Sequence, residues 1–215
     1  TDPDAGDTHT YSVDDARFEV VGGVLRLVAG QSLDFETEPS VDVIITATDA
    51  GGLSYNETFT VTVTNVNEAP TDIALSNSTL ADNTDTTGGV AVGNLSATDV
   101  DAGDTFNYAV VGGADAAVFS ISGNQLIITD GVLDFETKNS YAVDVEVTDQ
   151  GGAGLTFTKS FTVTVTNVNE APTDLAVDNV TVAENAAGAV IGNVSVTDPD
   201  ASDTHTYSVD DARFE

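Results

Sequence analysis

The chain has 215 residues, room for one large domain or two of ordinary size, and 40% of them are apolar, which excludes wholesale disorder. Five basic residues (Arg17, Arg26, Lys138, Lys159 and Arg213) stand against 36 Asp and Glu, giving a formal charge of −31. Such a surface repels phosphate backbones and anionic lipid, so nucleic acid and direct membrane contact are excluded, and it repels itself unless cations bind.

Cysteine is absent, which removes any disulfide framework or thiolate metal site. Methionine is absent too, and Thr1 is no initiator, so the chain reads as a fragment or a processed product. No apolar run approaches the ~18 residues of a membrane helix.

The chain repeats itself. FTVTVTNVNEAPTD at 59–72 recurs at 161–174, and LDFET at 33–37 recurs at 133–137, so the period is about 100 residues. TDPDAGDT at 1–8 has counterparts at 98–105 and 197–204, and residues 1–19 reappear at 197–215 with Gly6 replaced by Ser202. The expected domains are an incomplete repeat over 1–66 lacking its first strands, a complete repeat over 67–168, and an incomplete repeat over 169–215 holding only the first strands.

Within the complete repeat, period-two alternation predicts strands near 72–76, 89–97, 105–111, 117–122, 125–129, 140–148 and 155–167. SYAVDVEV at 140–147 puts Tyr141, Val143, Val145 and Val147 on one face, as a half-buried antiparallel strand requires. Gly112-Gly113, Gly123-Asn124 and Gly151-Gly152 mark turns between the runs. No stretch carries helical spacing between caps. The fold class is therefore all-β: tandem seven-stranded Greek-key β-sandwiches.

The carboxylates fall in turns, in recurring clusters. Asp-x-Asp occurs at Asp2/Asp4, Asp99/Asp101 and Asp198/Asp200, with a third aspartate three places on at Asp7, Asp104 and Asp203. Asp-Phe-Glu gives Asp34/Glu36 and Asp134/Glu136, and Thr-Asp-x-Gly-Gly gives Asp49 and Asp149. The Asn-Val-Asn-Glu-Ala-Pro segment supplies Asn65, Asn67 and Glu68, then Asn167, Asn169 and Glu170. Spacing of two in an extended segment aims both oxygens to one side, and calcium wants six to eight such oxygens, more than one loop offers. Asp before Gly is also ordinary turn chemistry. Four clusters recurring in order in so acidic a chain favour calcium, and His9 and His205, one repeat position twice, make no zinc or copper site.

These motifs, in this order and at this period, resemble cadherin repeats (an immunoglobulin-like fold), and more closely the cadherin-like tandem repeats of large bacterial RTX-type surface adhesins. The resemblance implies calcium between consecutive domains, stiffening the array. It assigns Asp34, Glu36, Asn65, Asn67, Glu68, Asp99, Asp101 and Asp149 to the first junction. It assigns Asp134, Glu136, Asn167, Asn169, Glu170, Asp198 and Asp200 to the second. The family's early-strand glutamate matches Glu184, while the middle repeat has the shorter Asp82 there. The family linker begins with Asp and carries a second Asn before Pro. Asn65 and Asn167 replace the former, and the latter is missing, so the resemblance implies weak extracellular-range affinity, about 10⁻⁴–10⁻³ M.

The reading is a calcium-stiffened extender of an extracellular, cell-surface adhesin, whose partners are neighbouring repeats of the same array. The alternative is a calcium-dependent binding module for surface polysaccharide or homophilic repeat contact, with Tyr55 the best exposed aromatic. An enzyme is not expected, because acidic pairs recurring in every repeat suit a stacking joint rather than one catalytic site. Head-to-tail strand exchange with another copy is also expected, since 169–196 hold the early strands that 20–66 lack. The duplicated ends would then compete for one place.

Overall fold

The computed structural model describes residues 8–152 and 154–214; Asp2, Asp4 and Asp7 lie outside them. Among the described residues alternation yields strands throughout, in chain order β1 (Thr10–Val13), β2 (Phe18–Val21), β3 (Val24–Leu27), β4 (Ser40–Thr48), β5 (Ser54–Thr62), β6 (Asp72–Leu75), β7 (Thr79–Ala81) and β8 (Val90–Thr98). There follow β9 (Phe106–Gly112), β10 (Phe119–Ser122), β11 (Gln125–Ile128), β12 (Ser140–Asp149), β13 (Thr156–Thr166), β14 (Asp174–Val177) and β15 (Val194–Thr197). A three-residue 3₁₀ turn, Ala116–Val118, precedes β10. The seven strands expected over 67–168 are all present. The one missed, β7, is too short to show alternation and pairs parallel with the end of β13.

The chain divides into two compact units. One comprises the residues up to Ala69 with Asp99–Thr105 and Asp149–Leu155; the other comprises Pro70–Thr98, Phe106–Thr148 and the residues from Thr156 on.

In the second unit two four-stranded sheets, ordered β10-β11-β8-β6 and β7-β13-β12-β9, share one core. Ile73, Leu95, Leu126 and Ile128 enter it from the first sheet; Tyr141, Val143, Val145, Val147, Val163 and Val165 enter from the second. Burying each such aliphatic side chain contributes roughly 1.5–3 kcal/mol. Thr162, Thr164 and Thr166, the alternate residues of β13, are exposed, as the pleat demands. Gly113 lets the chain close on β12: at φ 102°, an added Cβ would lie 2.5 Å from Val143 Cα. The hairpin β14–β15 pairs Leu175 with Val196.

In the first unit β1-β4-β5 form one antiparallel sheet and β2-β3 a hairpin. Phe18, Val41 and Val43 are buried, with Leu25, Leu27, Leu33, Ile45 and Val61 packed against them and partly exposed.

Candidate metal centre

The alternation that builds β12 also delivers a carboxylate. Tyr141, Val143, Val145 and Val147 point into the core, and the next residue in that register is Asp149, which is 0% exposed. A buried carboxylate must be compensated. One compensation is Asn67, whose Nδ2 donates to Asp149 Oδ2 at 3.0 Å. Asp149 Oδ1 is buried and accepts no hydrogen bond.

Asp149 is not alone in this. Carboxylate oxygens of Asp99, Asp104 and Asp149 lie within 4.8 Å of one another, and Asn67 Oδ1, Asp99 Oδ2 and Asp104 Oδ2 are likewise buried without a donor. Backbone crowds the same spot: a Cβ added at Gly151 would strike the Asp104 carboxylate and Asn67 Oδ1. A second group brings Glu36, Glu68 and Asp101 equally close. Asp101, 6% exposed, is fixed by the Glu68 N–H at 2.8 Å and Asn65 Nδ2 at 2.9 Å. Its own N–H donates to Asp99 Oδ1 at 3.1 Å.

In the second unit, oxygens of Asp82, Glu136 and Glu170 also lie within 4.8 Å. Asp82 Oδ1 accepts the N–H groups of Asn83 and Phe135, both at 2.9 Å. Asn83 Nδ2 donates to Glu170 Oε1, and Glu170 Oε2 is buried without a partner. The linker geometry of the first copy recurs: Asn167 Nδ2 and the Glu170 N–H hold Asp200 at 2.9 and 2.7 Å. Asn169 Nδ2 donates to the Glu170 carbonyl at 2.9 Å.

Charge crowding shows in the proton affinities. Burial, then the Glu36, Asp101 and Asp34 carboxylates, push Glu68 above its ordinary value. Burial, then Asp101, Asp149 and Asp99, push Asp104 up. Glu170 rises to about 7, chiefly through the hydrogen bond it shares with Asp82, which is lowered by that bond. Asp101 and Asp200 are lowered, first by the backbone N–H groups of Glu68 and Glu170. Glu68 beside Asp101, and Glu170 beside Asp82, thus each set a carboxylate that holds its proton unusually tightly next to one fixed as an anion.

Of the residues picked out by sequence, Glu36, Glu68, Asp99, Asp101 and Asp149 gather in the first unit and Asp82, Glu136 and Glu170 in the second. Asp34 and Asp134 do not join them. Their oxygens cap turns, accepting from Thr37 and Thr137, backbone N–H and hydroxyl alike. Asn65 and Asn167 act as donors. Asp198 Oδ2 is engaged by His205 Nε2 at 2.7 Å. Glu184 is exposed. Asp104 was absent from the candidate ligands, although its recurrence at Asp7 and Asp203 was a visible signal.

The donor set fits a hard cation: carboxylate and amide oxygens only, several buried and lacking any proton donor. Among the described residues no helix is long and apolar enough to cross a membrane.

Comparison with known proteins follows the same line. The family model of the cadherin domain matches residues 81–166. The chain is similar to Cadherin-8 of Rattus norvegicus, 33% identical over 201 residues, and to Protocadherin Fat 4 of Homo sapiens, 30% identical over 179 residues. Those alignments cover 83% and 79% of this chain but only 25% and 4% of the relatives, so the chain spans a quarter or less of their length. Among solved structures, the protocadherin gammaB4 extracellular domain matches with a TM-score of 0.55 at 25% identity, over 89% of this chain and 32% of that one. The protocadherin gammaB7 EC3-6 structure matches with a TM-score of 0.61 at 21% identity, over 90% and 51%. The chain is thus an all-β protein of cadherin-like fold, and its residues 81–166 match the cadherin domain family model.

Proposed function

We propose that the chain is a calcium-stiffened extender of a cell-surface adhesin, acting outside the cell, with calcium holding consecutive repeats in line. The observation that carries this reading is the set of buried oxygens without donors: Asn67 Oδ1, Asp99 Oδ2, Asp104 Oδ2 and Asp149 Oδ1. Buried acceptors are almost always satisfied, and a set of four that contains only acceptors calls for a cation. Cadherin domains as a family bind calcium, which supports the same ion here.

In this reading Asn67, Asp99, Asp104 and Asp149 hold one calcium, and Glu36, Glu68 and Asp101 hold another beside it. Asp82, Glu136 and Glu170 hold a third in the second unit, with Asp200 and Asn167 fixing the Glu170 backbone. Bound calcium supplies positive charge and shared coordination where the bare carboxylates repel. The chain's own residues position the oxygens: β12 carries Asp149 to the end of its inward register, Asn65 and the Glu68 N–H orient Asp101, and Gly151 leaves room for Asp104. Of these ligands Glu36 precedes the Asn-Glu-Ala-Pro linker, Glu68 lies within it and Asp101 follows it. Occupancy therefore couples the repeat before it to the repeat after it.

The finer assignment is to tandem repeats of a large bacterial adhesin, for which the supporting features are the absence of cysteine and the charge of −31. The relatives named above are mammalian, and what they share with this chain is the cadherin-type repeat. Small-angle scattering in chelator and in millimolar calcium tests the extender reading. The maximum dimension increases and becomes better defined with calcium; an unchanged scattering curve overturns it.

A further inference from the structure

The complete repeat, 67–168, has chain on both sides of it, so a pull along the chain enters before β6 and leaves after β13. The way these two strands lie against each other decides which bonds the pull loads. Antiparallel entry and exit strands would open from one end, a bond at a time. Parallel ones must slide lengthwise, and every bond between them resists together.

Here entry and exit are parallel. β7 pairs with β13 as Thr79 with Thr164, Leu80 with Val165 and Ala81 with Thr166. β6 lies in the other sheet but runs the same way. Lys159 of β13 reaches Asp72 and Ile73 at the start of β6, and Thr166, later in β13, lies beside Ala81 at the end of β7. Advancing along β13 therefore advances along β6 and β7. The pull enters at one end of this contact and leaves at the other.

The contact is fastened along its length. The Thr164 N–H donates to the Ser78 carbonyl at 2.8 Å and the Asp82 N–H to the Thr166 carbonyl at 2.9 Å, so bonding extends past both ends of β7. Thr166 Oγ1 donates to the Leu80 carbonyl at 3.2 Å. Lys159 Nζ donates to Asp72 Oδ1 at 2.7 Å and to the Ile73 carbonyl at 2.8 Å, a crossbar from exit strand to entry strand.

The crossing from β6 to β7 is held as well. Asn77 Nδ2 donates to the Thr79 and Val92 carbonyls at 2.8 and 2.9 Å, and the Ser76 N–H to the Asn94 carbonyl at 2.9 Å. Gly93 permits this close approach, since a Cβ there would lie 2.8 Å from the Asn77 backbone N and O. The entry segment cannot straighten under load without breaking these bonds.

We infer that the complete repeat is a load-bearing element whose mechanical strength resides in the lengthwise contact of β6 and β7 with β13, with Lys159 tying the entry strand to the exit strand. Stiffness keeps repeats in line; this contact sets the tension at which a repeat opens. It rests on strand direction and Lys159, not on calcium.

Single-molecule pulling of the full chain in chelator tests the inference. The chain has no cysteine, so two introduced cysteines are unique attachment points. Val66→Cys/Val168→Cys, at the exposed centres of the two Asn-Val-Asn segments, loads the contact lengthwise. Thr87→Cys/Val168→Cys takes the load just beyond β7, at the exit end, and opens the same contact one bond at a time. Forced unfolding reads the unfolding barrier, and bonds sharing a load should raise the rupture force of the first geometry to about threefold that of the second or more. The event in the first geometry should release roughly 30 nm of chain. Lys159→Met keeps the aliphatic stem without the ammonium, and should lower the force by about a quarter or more in the first geometry while leaving the second unchanged. Equal forces in the two geometries overturn the inference. So does a Lys159→Met variant that ruptures like wild type, or one that loses the same force in both geometries.

Discussion

Asp104→Asn distinguishes a cation ligand from a structural carboxylate by the sign of its effect. Asp104 Oδ2 is buried without a donor, and its proton affinity is raised by burial and by Asp101, Asp149 and Asp99. In chelator, replacing this repelled carboxylate by an amide of the same shape leaves the unfolding temperature unchanged or raises it. In calcium it removes a charged oxygen from the ion, and affinity falls by about tenfold or more. A ligand that binds only the folded state stabilises it by RT ln(1 + [L]/Kd), about 2.7 kcal/mol at a hundredfold excess over Kd. With about 4–8 °C per kcal/mol for a domain near 100 residues, one such site raises the wild-type midpoint by roughly 10–20 °C. A tenfold weaker site leaves about half of that. Scanning calorimetry of both proteins in chelator, calcium and magnesium reads all three quantities. Equal destabilisation of the variant in chelator and in calcium makes Asp104 structural. No calcium shift in the wild type refutes the cation reading altogether.

Acidity gives an independent handle. Glu170 has an ordinary value of 4.5 and is raised to about 7 in the folded chain, so the folded state binds the proton more tightly. Calcium-free stability therefore falls as pH rises from about 4.5 to about 7, while calcium affinity rises over the same window. Chemical unfolding in chelator at pH 5 and 7.5 checks the first, and calorimetric titration near pH 6 in two buffers should detect protons released by calcium. Gly151→Ala places a methyl against the Asp104 carboxylate and Asn67 Oδ1, and should shrink the calcium-induced thermal shift while leaving circular dichroism unchanged. Ile73→Ala removes a side chain with 0% exposure and should cost about 2–5 kcal/mol in urea unfolding, whereas Leu175→Ala, 63% exposed, should change the single chain by less than about 0.5 kcal/mol.

The strands were legible because alternation is local. SYAVDVEV and TKSFTVTV each state their inward face without reference to the rest of the chain. β7 was not legible: Thr79–Ala81 is three residues long and owes its assignment to the partner β13. At the candidate site the limit was the conformation of the motif. Asp-Phe-Glu was read as extended, with both oxygens to one side. The chain turns there instead, so Asp34 accepts the Glu36 and Thr37 N–H groups while Glu36 reaches the oxygen group. One motif thus yields a turn cap and a candidate ligand. The composition of the cluster was visible in the sequence, but the division of labour was decided by the backbone.

Two copies of one motif make the stronger point. Asp99-Val100-Asp101 and Asp198-Pro199-Asp200 share their linker contacts almost atom for atom, yet Asp99 Oδ2 is left without a donor while Asp198 Oδ2 is taken by His205. The position of His205 is Phe106 in the other copy, an apolar residue that packs on the core and offers no proton. At the Asp99-Val100-Asp101 copy Asp149 is brought, 0% exposed, to the same place by the inward register of β12. A local Asp-x-Asp is therefore not by itself a cation site. It becomes a candidate when a distant strand adds a buried carboxylate and nothing nearby supplies a proton. That is why long-range β pairing, rather than motif count, decides where calcium would bind in this chain.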